Sequence, residues 1–267
     1  MLKDIDDRQL PLLDHLVELR NRLMYSAIAV FLGFFVCYFF AEQIYAFLVR
    51  PLADLTAGDH NRRMIYTGLA EAFFTYVKVA FFAGAFLTFP FVATQLWMFI
   101  APGLYRTEKQ AFLPFLVATP VLFFIGGAVA YYLVFPLAWR FFLSFESAGG
   151  DGMLPIQLEA RVGEYLSLVM KLLFAFGLSF QLPVLLTLMG RVGLVSAEGL
   201  ARNRKYAIVG IFTVAAIITP PDVISQIGLG VPIILLYEIS IVAVRMAEKK
   251  RAEREAAEEA EEAGAAS

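Results

Sequence analysis

Glu18 stands in the stretch "DHLVELRNRL" (residues 14–23), four residues after Asp14 and four before Arg22, with Arg20 in between. On a helix, side chains four apart face each other, so the Glu18–Arg22 pair supports a turn by about 0.2–0.5 kcal/mol. The same carboxylate also matches the planar fork of a guanidinium, which it accepts bidentately. A second acid, Glu108 in "FIAPGLYRTEKQ", precedes another apolar run. There an anion also suits the positive end of a helix, so for each acid a plain helix-terminus role stands beside a binding role. Gln181, in "FGLSFQLPV", is an amide inside an apolar run, just before Pro183. Such an amide bonds a neighbouring helix or a carbonyl freed by proline, or it receives a partner helix. Lys78, Lys171 and Glu238 also fall within apolar runs; the lysines are placed to reach outward along their stems or to serve a pathway, and Glu238 to reach the interface or pair with Arg245. The sequence has no HExxH, GxSxG, GxGD or Walker loop, and two histidines do not make a typical metal site, so neither an enzyme nor a bound cofactor is expected.

These groups must be held by membrane helices. The chain has 267 residues, 60% hydrophobic and 17% charged, whereas soluble domains average about 45–50% apolar and about 25% charged. The fold class expected is all-α, a polytopic membrane protein with six transmembrane helices, the last two short. A span takes about 20 mostly apolar residues. Runs at 23–41, 72–100, 112–138 and 164–189 qualify, and shorter runs lie at 206–219 and 227–244, separated by "PPDVISQ". The fifth run is about 21 Å long at about 1.5 Å per residue, short of a hydrocarbon core of about 30 Å. Two short spans fit the flanking charges; a re-entrant pair would leave the C-terminus on the same side.

Basic residues follow one side. Fifteen flank the N-terminus, the second-to-third and fourth-to-fifth connections and the C-terminal tail, against five in the other loops. Both termini are therefore expected in the cytoplasm. The organisation expected is a cytoplasmic amphipathic segment (1–22), a six-span membrane domain (23–245) and a charged cytoplasmic tail (246–267). The two long outer loops, 42–71 and 139–163, are candidates for a small cap. The opening "MLKDIDDRQLP" is acidic and the run after it is too long for a cleavable signal peptide. The lone Cys37 excludes an intrachain disulfide.

Four motifs in order, "HLVELRNRL", "FIAPGLYRTEK", "FGLSFQLPV" and "TPPDVISQ", resemble the TatC family, the multispanning receptor subunit of the twin-arginine protein translocase. The resemblance runs from about residue 10 to 245. It implies binding of twin-arginine signal peptides of folded cargo proteins and export driven by the proton-motive force across the cytoplasmic (inner) membrane. It further implies assembly with small single-span TatA/TatB-type subunits and with further copies of the chain in the receptor complex. Membrane lipid is expected as a partner, and nucleic acid is not. By the resemblance, Glu18, Glu108, Phe99 and Arg20 match the signal-peptide site. Thr219, Asp222 and Gln226, with Gln181, match a polar group where partner helices dock, and Pro51 matches a proline of the outer cap. At Gln181 the family is expected to carry glutamate more often; an amide holds no charge, which weakens any proton-relay role and leaves a docking contact. The competing readings are an ion-coupled solute transporter, which would crowd ionisable groups at the midplane, and a scaffold indifferent to its rim acids.

Overall fold

The computed structural model describes residues 12–57, 62–100, 109–150, 154–219 and 222–265. Helices dominate: α1 (Leu12–Phe39), α2 (Ala41–Leu55), α3 (Glu71–Ile100), α4 (Lys109–Val129), a π-helical turn (Ala130–Val134), α5 (Phe135–Leu143), α6 (Val162–Ser179), α7 (Leu182–Arg191), α8 (Ala197–Arg202), α9 (Arg204–Ile218) and α10 (Val223–Ala265). Five stretches among the described residues are long and apolar enough to cross a membrane: α1, α3, α4 through α5, α6 through α7, and α10. With 15 residues, α9 spans about 22 Å at about 1.5 Å per residue.

Two runs that read as uniform in sequence are interrupted. The fourth breaks between α6 and α7, because Pro183 cannot donate to the carbonyl four residues back. The Gln181 backbone amide turns instead to the Leu178 carbonyl at 2.9 Å. The third run passes through the π turn just before Pro136, which sits in the first turn of α5. Wider π turns of this kind are usually single and local. The last apolar run, 227–244, is the middle of a 43-residue helix. Its charged tail continues α10 because Ala, Glu, Lys and Arg are strong helix formers.

Helix α1 lies at the edge of the bundle. Only 6% of its most apolar stretch is buried within the protein, against 33% or more in the other four spans. Its main neighbour is α3. The two backbones meet at Gly33 and Gly84, where a Cβ on Gly84 would stand 2.5 Å from the Phe34 nitrogen. Small residues are what allow membrane helices so close. Phenylalanines fill the centre: Phe86, Phe89 and Phe174 pack around Phe123, which is fully buried. Glu238 of α10 pairs with Arg204 of α9 at 2.7 Å, not with Arg245. The cause is proximity between helices: α9 packs along α10 and brings Arg204 across.

The two long loops do meet and form a cap. Ile65 bridges Arg161, and Ser147 bridges Ile156. Arg62 pairs with Glu146, donating through Nη1 at 2.9 Å, and the Glu146 carboxylate also accepts the Leu158 amide. Pro51 is buried inside α2. Lacking an N–H, it deprives the Phe47 carbonyl of its usual donor, and the Tyr131 hydroxyl donates there at 2.7 Å. Tyr165 donates to the next carbonyl, Leu48, at 3.2 Å. The π turn thus delivers a hydroxyl to the gap that Pro51 opens.

Candidate functional site: a carboxylate at the α1–α3 end

At the N-terminal end of α1, His15, Glu18 and Arg22 occupy one face, at spacings of three and four. That face meets the C-terminal end of α3, where Gln95 and Phe99 are themselves four apart. Arg22 donates to one oxygen of Glu18 from both Nε (2.8 Å) and Nη2 (2.6 Å). Its Nη1 reaches the Gln95 side-chain carbonyl oxygen at 3.5 Å, and this amide is buried. The His15 ring stacks on Phe99, with centroids 4.3 Å apart and planes 13° apart. The pair is partly open to solvent, with side-chain exposures of 22% for Arg22 and 26% for Glu18. One oxygen of Glu18 is engaged by Arg22, and the other has no hydrogen-bond partner among the described residues. Such a site can offer a guanidinium one free acceptor edge beside an aromatic stack.

Of the residues matched to the signal-peptide site, Glu18 and Phe99 come together here. Arg20 is exposed and turns to the Asn21 side chain at 3.2 Å, away from Glu18. Glu108 lies outside the described residues. Sequence reasoning misses Gln95 and His15 at this site; the shared i, i+4 face of Gln95 and Phe99 is the signal that points to the first of them.

The second group splits. Thr219, Asp222 and Gln226 gather at the turn between α9 and α10. Thr219 is buried and donates to the Ala215 carbonyl. Asp222 accepts the Ser225 amide at 2.6 Å, so it caps α10. Its other carboxylate oxygen is buried without a partner among the described residues. Gln226 donates to the Phe212 carbonyl at 3.1 Å and ties the two helices. Gln181 is spent elsewhere: its amide nitrogen donates to the Thr119 carbonyl of α4 at 3.0 Å and to Gly177 at 3.4 Å. Thr119 also accepts the Trp97 indole through its hydroxyl at 2.9 Å, so α3, α4 and α6 are linked in one polar chain. The Gln181 carbonyl oxygen, buried and without a partner among the described residues, remains for another group.

Comparison with known proteins places this arrangement. The family described as Sec-independent protein translocase protein (TatC) matches residues 14–232. The Sec-independent protein translocase protein TatC of Magnetococcus marinus is 54% identical over 255 residues, covering 96% of this chain and 91% of that one. The protein of the same name from Escherichia coli (strain K12) is 40% identical over 252 residues, covering 94% of each. A crystal structure of the twin-arginine translocase receptor TatC superimposes with a TM-score of 0.75 at 36% identity, covering 87% of this chain and 99% of that one. With a family match over most of its length and relatives of this identity along nearly all of it, the chain belongs to the TatC family of Sec-independent protein translocases.

Proposed function

We propose that this chain is the receptor and core subunit of a twin-arginine translocase, and that it reads the paired arginines of a signal peptide at the α1–α3 end. The observation that carries the reading is the half-engaged Glu18 carboxylate beside the His15–Phe99 stack. One guanidinium takes the free oxygen of Glu18; Phe99 lies beside it for the apolar or stacking contact that follows. Glu108 supplies the second acid and Arg20 tunes the surrounding charge. The solved structures that share this fold are described as twin-arginine translocase receptors, and the likeness supports the transfer.

Assembly with TatA- and TatB-type single-span subunits falls to the α9–α10 turn, where Thr219, Asp222 and Gln226 cluster and an Asp222 oxygen is buried without a partner among the described residues. The unpartnered Gln181 oxygen is a further contact on α6–α7. The cap that contains Pro51 lies outside the cell, α9 and α10 each cross the membrane, and both termini are cytoplasmic, as the basic residues favour. Residues 1–22, 23–245 and 246–267 then form the cytoplasmic entry segment, the membrane domain and the tail.

The test is binding of a twin-arginine peptide to the protein in nanodiscs, with photocrosslinking from the peptide. Label at α1 near Glu18 and on α3 near Phe99 is expected. Label confined to the cap, with unchanged binding in the Glu18→Gln variant, would remove the reading.

A further inference from the structure

Two clefts meet on the face formed by α3, α6 and the end of α9. One, of about 720 Å3, is lined by polar groups including Glu71, Thr75, Glu164 and Thr219. The other, of about 1050 Å3, is lined chiefly by apolar ones, among them Phe34, Phe81, Phe174 and Leu178. Lys78, Ser167 and Lys171 border both, so the compartments are stacked along the helices. The polar one lies toward the starts of α3 and α6. Lys78 and Lys171 sit about 10 Å and about 14 Å inward from those starts, at about 1.5 Å per residue. Both are exposed on the bundle surface. Neither makes a hydrogen bond or ion pair among the described residues, because the nearby carboxylates are taken: Glu71 accepts the Thr67 and Gly68 amides and pairs with Arg161, which also holds Glu164.

Ammonium groups at this depth are costly unless an anion meets them. We infer that the paired clefts hold one anionic phospholipid, with its phosphate at Lys78, Lys171 and Ser167 and its acyl chains along the phenylalanine-lined part. An amphiphile matches both compartments at once. A partner helix bearing a single acid would answer the lysines but leave the polar compartment around Thr75 and Thr219 without polar groups. Glu71 and Glu164 balance the two lysines within the lining, and Arg161, which pairs with both acids from beside the clefts, leaves the surroundings one positive charge in excess, with the lysines themselves unpaired; that favours an anionic headgroup over a zwitterionic one, whose own cation would face the lysines.

The test uses the full chain, delipidated in detergent and titrated by native mass spectrometry with phosphatidylglycerol or phosphatidylcholine. One phosphatidylglycerol per chain should be retained about tenfold better than phosphatidylcholine, and the Lys78→Gln, Lys171→Gln double variant should lose that preference. Lys78→Arg with Lys171→Arg should keep it, as should Lys249→Gln with Lys250→Gln in the tail. If the double glutamine variant does not fold, Lys171→Gln alone is read in its place. Equal retention of the two lipids, or an unchanged preference in the folded glutamine variant, overturns the inference. So does displacement of phosphatidylglycerol by millimolar inorganic phosphate. A photoreactive group at Ser167 should label lipid in the assembled translocase; label on a single-span subunit instead overturns it too.

Discussion

Glu18 is occupied before any ligand arrives. Arg22 donates to one of its oxygens twice, so an incoming guanidinium either uses the second oxygen or competes with Arg22 for the first. The two residues should therefore respond in opposite directions. Glu18→Gln should weaken binding of a twin-arginine peptide about tenfold, since a charge-assisted bond contributes about 1.5–3 kcal/mol and about 1.4 kcal/mol is tenfold. Arg22→Gln should bind the peptide at least as tightly as the unmodified protein at low salt. The gain should fade as salt rises, because the carboxylate is partly open to solvent. Phe99→Ala should weaken binding with little change in salt dependence. Fluorescence anisotropy against a salt series measures all three; a loss of affinity in Arg22→Gln matching that in Glu18→Gln would mean that the pair binds as a unit. The Glu18–Arg22 contact is legible in sequence because it is local, four residues along one helix. The parts played by Gln95 and His15 are not, because their meeting depends on which faces of α1 and α3 touch.

Helices carry the next level. Gln181 reads in sequence either as a bond to a neighbouring helix or a freed carbonyl, or as a contact for a partner helix; both of its donor bonds are internal, to α4 and to its own broken turn. Gln181→Leu should consequently destabilise the isolated chain, by about 0.6 and up to about 1.7 kcal/mol, the range for polar contacts between membrane helices. Thermal unfolding in detergent without partners is the measurement; an unchanged midpoint would return the residue to docking alone. Gly84 makes a second case. Gly84→Ala places a methyl 2.5 Å from the α1 backbone, so α1 must move or tilt. The expected cost is about 1–3 kcal/mol. Cys37 of α1 packs with Ala80 of α3, so a disulfide between Cys37 and the thiol introduced by Ala80→Cys reports the displacement. It should form more slowly once Gly84→Ala is added; an unchanged rate would mean that the backbones yield without parting. The long apolar runs identify the spans because hydrophobicity is summed over many residues. The break at Gln181 and the π turn at Ala130–Val134 turn on one or two hydrogen bonds and on Pro183 and Pro136, which a run length does not register.

For the molecule as a whole, the charge asymmetry and the cap give a testable orientation. In a Cys37→Ala background, Ala57→Cys on the cap should be labelled by an impermeant maleimide from outside intact cells, and Ala252→Cys in α10 should be labelled only after lysis. The reverse pattern would invert the chain in the membrane. The all-helical membrane class, the order of the spans and the pairing of the two long loops are readable from composition and spacing. The Arg204–Glu238 pair is not, since Arg245 is the nearer base in sequence while α9 supplies the nearer one in space.

The bond between Tyr131 and the Phe47 carbonyl, beside Pro51, also constrains how such a sequence is free to drift. An alanine at 51 returns a donor to Phe47 and strands the tyrosine hydroxyl; a phenylalanine at 131 strands the carbonyl instead. Each change alone leaves a half-buried polar group unanswered, at the low end of about 1–3 kcal/mol, while the two together cancel. The positions are in different helices, yet one carbonyl couples them: Tyr131→Phe should act as a second-site suppressor of Pro51→Ala, and lineages that lose the proline should shed the hydroxyl with it.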